Sequence, residues 1–245
     1  VGTNVGLNTN GNDYVAWCLK ANGGTTSSNT DGAVTTTVQV NEQAGFSIVE
    51  FSGTGSETTF GHGLGEKPDI VIIKRLNSTS DWPVYHDLLD GSMDLIYLNS
   101  NGTNFNSSRP LFTSSVFYFV TSGDYIAYAF RSVEGFSSFG SYVGNGSTNG
   151  PIVETGFEPA MVIVKSTTSA EVWLIRDNKR NTTNPRNSIL EPNTSDAETT
   201  QSQYDMDFLS NGFQLKGTGA SSNANGETFI YMAFAADPDT EAPTV

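Results

Sequence analysis

The chain of 245 residues carries 26 Asp and Glu against 12 Lys and Arg, a formal net charge of −14 at pH 7. This excess of carboxylates argues against nucleic acid, whose phosphates bind Lys and Arg, and against an anionic membrane surface. Hydrophobic residues make up only 36%, but 15 Phe, 9 Tyr and 3 Trp supply large buried areas, so the composition predicts packed cores rather than disorder.

A short run of aromatic, β-branched and small residues extends from Asp13 to Leu19 and recurs at 124–130 and 228–235. Each run follows turn-forming residues, which predicts a strand entered from a tight turn. Because the runs are apolar without alternation, we expect each strand to be buried on both faces in the centre of a sheet. Cys18 is then a small buried hydrophobe, and as a lone cysteine it forms no intrachain disulfide.

We assign residues 1–21 to the end of a preceding repeat, with the first run as its closing strand. That strand either completes a sheet of the repeat that follows or pairs with strands upstream in a longer polypeptide. Residues 21–31 predict a linker or long loop and 34–40 an edge strand, because this part of the chain is low in large apolar side chains.

Two stretches of the chain repeat each other at a constant spacing. The following pairs are each 91 residues apart: Pro68 and Pro159, Lys74 and Lys165, Trp82 and Trp173. After each tryptophan the two copies continue in parallel, and we align His86 in the first with Arg176 in the second. Three landmarks at one spacing predict an internal duplication.

The predicted fold class is all-β, with two homologous antiparallel β-sandwich units of jelly-roll type in tandem. Each unit has about six strands, with turn signals roughly every 8–12 residues. We place the units at 22–135 and 136–237, and the acidic, proline-containing residues 238–245 form a linker to a following domain. The best helical segment is short, near His86 to Leu89, and residues 178–203 predict a long surface loop.

His62 and His86 are the only histidines, and a nucleophilic triad would need one of them beside a serine and an aspartate. No Gly-x-Ser-x-Gly elbow surrounds a serine in a strand-to-helix context. His62 lies in the glycine-rich stretch 61–65, which lacks the glycine spacing and following helix of a phosphate-binding loop. We therefore predict no catalytic residue and expect both histidines at the surface or in turn packing.

Carboxylates cluster in two parts of the chain, where carbonyl groups of Gly and Asn loops would help to form an oxygen cage for Ca²⁺. The candidate ligands are Asp87, Asp90, Asp94, Asp205 and Asp207. No stretch matches the twelve-residue EF-hand loop, so the alternative is a set of solvated loop acids. Calcium is the one cofactor considered. A glycosidase site would need two carboxylates on opposite sides of a cleft, and the sequence does not show which carboxylates face each other in this way.

Three aromatic residues are candidates for contact with a sugar ligand: Trp82, Tyr85 and Trp173. On one face of a sheet they would form a platform for a saccharide. The equivalent positions of the two tryptophans in the two copies favour the core instead, because a duplicated position usually keeps its packing role.

Five stretches carry a resemblance to a known type of repeat, at residues 14–18, 44–49, 61–65, 133–146 and 207–213. The string from Val133 to Gly146 is the most specific of them. Together they resemble repeat domains of large tail or fibre-like structural proteins of marine bacteriophages, over nearly the whole chain. The resemblance implies a virion surface or tail component and carries over no catalytic residues.

The leading hypothesis is therefore a non-catalytic structural or adhesion module of a phage tail or fibre protein that presents loops to a host surface. It would lie on the virion surface or outside the cell, as a homo-oligomer with other virion or fibre subunits as partners and a host glycan or protein as its contact. The alternatives are a carbohydrate-binding module of a secreted or cell-surface bacterial protein, a subunit of an extracellular fibre, and lastly a glycan-degrading enzyme.

Overall fold

The computed structural model describes residues 9–235. Strands account for 41% of the residues and helices for 3%, and the strands form several antiparallel sheets, which confirms the predicted all-β class. The strands are rich in β-branched and aromatic residues, and Gly, Asn and Ser form the turns between them. The predicted linker 238–245 lies outside the described residues. No helix in the described part of the chain is long and apolar enough to cross a membrane.

The first half of the chain builds one large sheet and one small sheet. Its strands are β1 (Ser27–Asn29), β2 (Thr36–Asn41), β3 (Phe46–Gly53), β4 (Thr58–Gly61), β5 (Ile70–Arg75), β6 (Pro83–His86), β7 (Asp94–Tyr97), β8 (Phe105–Asn106), β9 (Val116–Phe119) and β10 (Gly123–Phe130). The large sheet has the order β1-β2-β3-β10-β5-β6-β7-β8, and β4 pairs with β9 to form the small sheet. The first core lies between these two sheets and is rich in aromatic rings, including Phe51, Phe60 and Phe117.

The second half repeats this plan with fewer strands in its main sheet. Its strands are β11 (Ser137–Val143), β12 (Ile152–Glu154), β13 (Pro159–Ser166), β14 (Leu174–Asp177), β15 (Ser188–Ile189), β16 (Thr199–Thr200), β17 (Met206–Leu209), β18 (Gly212–Leu215) and β19 (Thr228–Ala235). A four-stranded sheet of order β11-β19-β13-β14 packs against a three-stranded sheet of order β12-β18-β17, and β15 pairs with β16. The helices are a 3-10 turn at Ser202–Tyr204 and a short α-helix at Ala220–Asn223.

The two halves share strand order and register. The order β3-β10-β5-β6 corresponds to β11-β19-β13-β14, and in each half the last strand pairs with the first strand of this set. Ile70 faces His86 across β5 and β6, and Met161 faces Asp177 across β13 and β14, so the equivalent residues are 91 apart in both strands. In each half the strand that follows the first one in the chain pairs with the strand before the last: β4 pairs with β9, and β12 pairs with β18. This agreement supports the duplication, which as a statement of ancestry stays a prediction.

The large sheet and the four-stranded sheet pack face to face. Their shared core contains Phe46, Ile70, Val84, Ile96, Phe130, Phe139, Trp173, Ile230 and Met232. Polar contacts also cross from one half to the other: for example, Trp173 Nε1 donates to the Tyr97 carbonyl at 3.0 Å, and Lys165 Nζ donates to the Asn101 carbonyl at 3.4 Å. The central strands of the large sheet are therefore covered on both faces, as the apolar runs predict, and β10 and β19 each lie between two neighbours.

The prediction for the first apolar run is wrong within the described residues. Residues 13–19 form no strand, and Tyr14 and Trp17 are 50% and 38% exposed. Cys18 is exposed rather than buried. The other two runs form β10 and β19, each of which lies between two flanking strands. Because β10 and β19 occupy the central positions of the two sheets, no such position is left for residues 13–19.

Several boundaries also differ from the sequence predictions. The predicted edge strand is β2, which lies inside the large sheet because β1 forms within the predicted loop 21–31 and pairs with it. The predicted helix near His86 is absent, since His86 ends β6 and a turn follows. The predicted surface loop 178–203 contains the β15–β16 hairpin and buries Ile189 in the core between the sheets of the second half.

We expect Cys18 to react with a thiol reagent in the native protein as completely as in denaturant, because its side chain is exposed. A colourimetric thiol assay in native buffer measures this directly. The Cys18→Ser variant should lose the signal and keep the melting temperature. A thiol that reacts only after unfolding would place this segment in a buried strand after all.

We expect Phe60→Ala to lower the free energy of unfolding by about 3–5 kcal/mol, because the Phe60 ring is fully buried against Phe51 and Phe117. Phe105→Ala is the matched control, since the Phe105 ring is 45% exposed and its loss should cost less than about 1 kcal/mol. Denaturant unfolding of the two variants provides the comparison. Equal losses would contradict the assignment of the first core.

Candidate functional site

An open groove lies on the face of the large sheet that the small sheet covers only in part. Its volume is about 300 Å³. Strands β5, β6, β7 and β10 form the floor, because alternate residues of each strand point to the same face. The lining residues are Ile73, Arg75, Ser80, Asp81, Pro83, Tyr85, Leu95, Tyr97, Arg109, Phe119, Thr121 and Tyr125.

The floor of the groove is aromatic. Tyr85 and Tyr125 are almost fully buried in the first core, and Phe119 packs against the Tyr125 ring with centroids 4.7 Å apart. Tyr97 is half-buried on the outer side, where its ring contacts the exposed ring of Phe105 at 6.1 Å. This outer side therefore presents aromatic surface to a ligand, whereas the inner rings form the base.

Two guanidinium groups lie over this floor. The Arg109 guanidinium is 5.7 Å from the centroid of the Tyr85 ring, and that of Arg75 is 5.9 Å from the Tyr125 ring. Such cation–π contacts hold both groups in place. Burial raises the pKa of the Tyr85 hydroxyl, and Arg109 opposes that shift by favouring the phenolate. The protein therefore holds the guanidinium groups of Arg75 and Arg109 in place before a ligand binds.

The rim of the groove is hydrophilic. Ser80, Asp81 and Thr121 are exposed and come from two different loops. The amide of Asn99 donates to Asp81 Oδ1 at 2.9 Å, which leaves the second carboxylate oxygen of Asp81 free to accept a hydrogen bond. Hydroxyls and a carboxylate around an aromatic floor suit a ligand with many hydroxyl groups.

The second half closes the equivalent face. Arg176 takes the place of Tyr85, because Arg176 faces Val162 as Tyr85 faces Val71. The Arg176 side chain is fully buried, its Nε donates to the Tyr204 carbonyl at 3.0 Å, and both Nη atoms lack a partner. Burial lowers the pKa of Arg176 to about 10. Tyr204, in the turn before β17, contacts this arginine, whereas Tyr85 lines the open groove in the first half.

The sequence candidates for sugar contact separate in the structure. Tyr85 lies in the groove floor. Trp173 is 2% exposed in the core between the two halves, in line with the packing role favoured for it. Trp82 is half-buried beneath Lys74, whose Nζ is 5.2 Å from its ring centroid, and it does not line the groove. In both copies an asparagine side chain, Asn99 or Asn193, accepts a hydrogen bond from the tryptophan amide.

The acidic candidates are occupied in different ways. Asp87 pairs with Lys67, and Asp90 accepts hydrogen bonds from the amide and hydroxyl of Ser92. Asp94 is buried, and its Oδ2 lacks a partner. Asp205, also with one unpartnered buried oxygen, and the half-buried Asp207 lie in the other half. Among residues 9–235 no group of three His, Cys, Asp or Glu side chains is arranged to hold a metal ion, and calcium binding stays a prediction.

Both histidines are fully buried, so neither lies at the surface, and turn packing, the other environment expected for them, holds for His62. His62 packs in a turn, where its Nδ1 accepts from the Leu64 amide at 3.2 Å. The alignment of His86 with Arg176 is wrong by one residue, since the register places His86 opposite Ile70 and makes Asp177 its equivalent. Neither histidine lines the groove.

Sequence reasoning missed most of the groove. Arg75 and Tyr125 are adjacent partners on neighbouring strands, but Arg109 reaches the site from the loop between β8 and β9, far from Tyr85 in the chain. One signal was present: the duplication aligns Tyr85 with Arg176, a change from aromatic to cationic at one position, which marks a place where the two copies differ.

We expect the free energy of unfolding to fall by about 2 kcal/mol between pH 7 and pH 5 through His86 alone. Burial lowers the pKa of His86 to about 4, against opposing effects of Asn104 and Asp87. The folded pKa lies below the unfolded value of about 6.5, so the unfolded state binds the proton first and stability is lost as pH falls through this window. Denaturant unfolding of wild type and His86→Gln measures it. The variant should lose less stability over the same pH range, and an unchanged loss would contradict the prediction.

Comparison of the chain with known proteins identifies one family, and the description of that family assigns no activity. No curated protein and no solved structure matches the chain. One family does match, over residues 1–238, which is nearly the whole sequence and includes both halves of the fold. The chain therefore belongs to the family described as Domain of unknown function (DUF7483).

Proposed function

We propose that this chain is a non-catalytic structural and adhesion module of a phage tail or fibre protein, located on the virion surface or outside the cell. Its contact with the host is the open groove of the first half. The packed β layers provide a rigid support, and the groove and the loops around it provide the variable surface. The resemblance to phage tail and fibre repeats supports the virion setting.

One observation carries the adhesion role. The two halves share a register, yet the sheet face that β17 and Tyr204 cover in the second half is open in the first. A face that only provided stability would gain from the same cover, because the half-buried Tyr97 ring at its outer side stays partly in water. The open face therefore favours a role in contact with a ligand.

The lining supports binding rather than catalysis. Asp81 is the one carboxylate among the lining residues, whereas glycoside hydrolysis ordinarily uses two placed across the bond. His62 and His86 are buried away from the groove, so neither is placed to act on a ligand there. These placements favour a binding module over a glycan-degrading enzyme.

A carbohydrate-binding module of a secreted or cell-surface bacterial protein is the second candidate, since the aromatic and hydroxyl-rich groove suits that setting equally well. The same groove would act in both cases. The difference lies in the protein that carries the module, so a host-cell assay separates the two.

We expect Ser80→Trp to abolish binding to a glycan array and to host cells, because the indole would fill the groove that Ser80 lines. Ser78→Trp is the matched control. Ser78 lies in the same loop, is also exposed, and like Ser80 donates its hydroxyl to the carbonyl of the next residue, but it does not line the groove.

Three outcomes would overturn the proposal. The first is equal binding by the Ser80→Trp and Ser78→Trp variants, which would place the contact elsewhere. The second is a wild-type protein that binds neither glycans nor cells, which would leave an inert spacer. The third is release of product from a polysaccharide by the wild type, which would make the chain an enzyme.

A further inference from the structure

We infer that the groove selects an acidic saccharide, one whose sugar units carry carboxylate or sulfate groups. The inference rests on the proposed function of the groove as the ligand contact. It concerns the class of ligand, which neither the family nor the resemblance assigns.

The charge of the groove is opposite to that of the protein. The chain holds 12 Lys and Arg against 26 Asp and Glu. Two of those cations, Arg75 and Arg109, line this one groove of twelve residues, with Asp81 as its single acid. In a chain of net charge −14, a positive groove is a local reversal that attracts anions to this place.

Arg75 has no carboxylate partner among the described residues. Its Nε donates to Asn77 Oδ1 at 2.9 Å, and the face of its guanidinium lies over the Tyr125 ring. Asn77 in turn donates to Asp124 at 3.1 Å, so the nearest acid in this chain of contacts is held by an amide rather than by the guanidinium itself. The terminal nitrogens of Arg75 remain available to a ligand.

Arg109 has only a distant carboxylate partner. Glu57 is 3.9 Å from its Nη1, at the limit of an ion pair, and the Glu57 side chain is half exposed to water. The Arg109 Nε is buried and has no hydrogen-bond partner. A ligand carboxylate or sulfate would supply the two parallel acceptors that a guanidinium binds best.

Two arginines outside the groove, Arg180 and Arg131, are held more closely by acceptors of the protein. Arg180 donates to Asp177 at 2.6 Å and to Glu198 at 2.9 Å. Arg131 donates to the Glu42 carbonyl at 2.5 Å and lies 3.6 Å from Glu66. A neutral sugar would leave the groove arginines partly desolvated without an anion, which is unfavourable.

The probes are a galacturonic acid trimer and dextran sulfate, each compared by calorimetry with its uncharged parent, the trimer methyl ester and plain dextran. We expect at least one acidic form to bind about tenfold or more tightly than its parent and to weaken as salt rises. Arg75→Gln and Arg109→Gln should each lower that affinity by about tenfold. Lys20→Gln removes one exposed charge outside the groove and should leave it unchanged.

The inference is overturned if neither acidic form binds, if parent and acidic forms bind alike, or if the arginine variants bind as well as Lys20→Gln. Melting temperatures of the variants confirm that they remain folded. If neutral and acidic forms bind equally well and Ser80→Trp abolishes the binding of both, this inference fails and the adhesion proposal stands. If Ser80→Trp leaves the binding to glycans and cells unchanged, the adhesion proposal itself fails.

Discussion

The large sheet is packed against an apolar core on each of its two faces, and the arrangement of the other sheets depends on this packing. On one side, Tyr125, Ala127 and Ala129 of β10 face the core beneath the small sheet, and on the other side Tyr128 and Phe130 face the four-stranded sheet. A strand in this position cannot alternate apolar and polar residues, because a polar side chain on either face would lose its water without gaining a partner. The layered stack thus follows from the composition of its central strand.

The two halves differ mainly in how the outer face of the main sheet is covered. In the second half, β17, β18 and the turn at Tyr204 cover the sheet and enclose Arg176. In the first half, only β4 and β9 lie over the sheet, and β5, β6 and β7 extend beyond them. Since the register is the same, this difference in cover explains why Tyr85 forms the floor of a groove whereas Arg176, at the equivalent position, is enclosed.

The sequence predicted the fold well where the signal was local or periodic. The apolar runs at β10 and β19 and the 91-residue spacing both correspond to strands in matching register. The groove could not be predicted in the same way, because Arg109 approaches Tyr85 only after the chain has passed through β8 and returned. The histidine alignment failed by one residue because it departed from the 91-residue spacing, which makes Asp177 the equivalent of His86, as the strand register shows.

The segment from Asp13 to Leu19 shows most clearly what a strand pattern leaves open. It has the same order of residue types as β10, with an aspartate, a tyrosine, a β-branched residue and an alanine at its start, yet it forms no strand among the described residues. A β-strand has no hydrogen bonds within itself, so its conformation depends on neighbours that supply the ladder. Both central positions in the two sheets are occupied, and the segment instead lies beside Met161, Asn178 and Phe234 with much of its apolar surface exposed. Apolar patterning therefore indicates which residues are able to form a central strand, whereas the neighbours on each side decide whether they do.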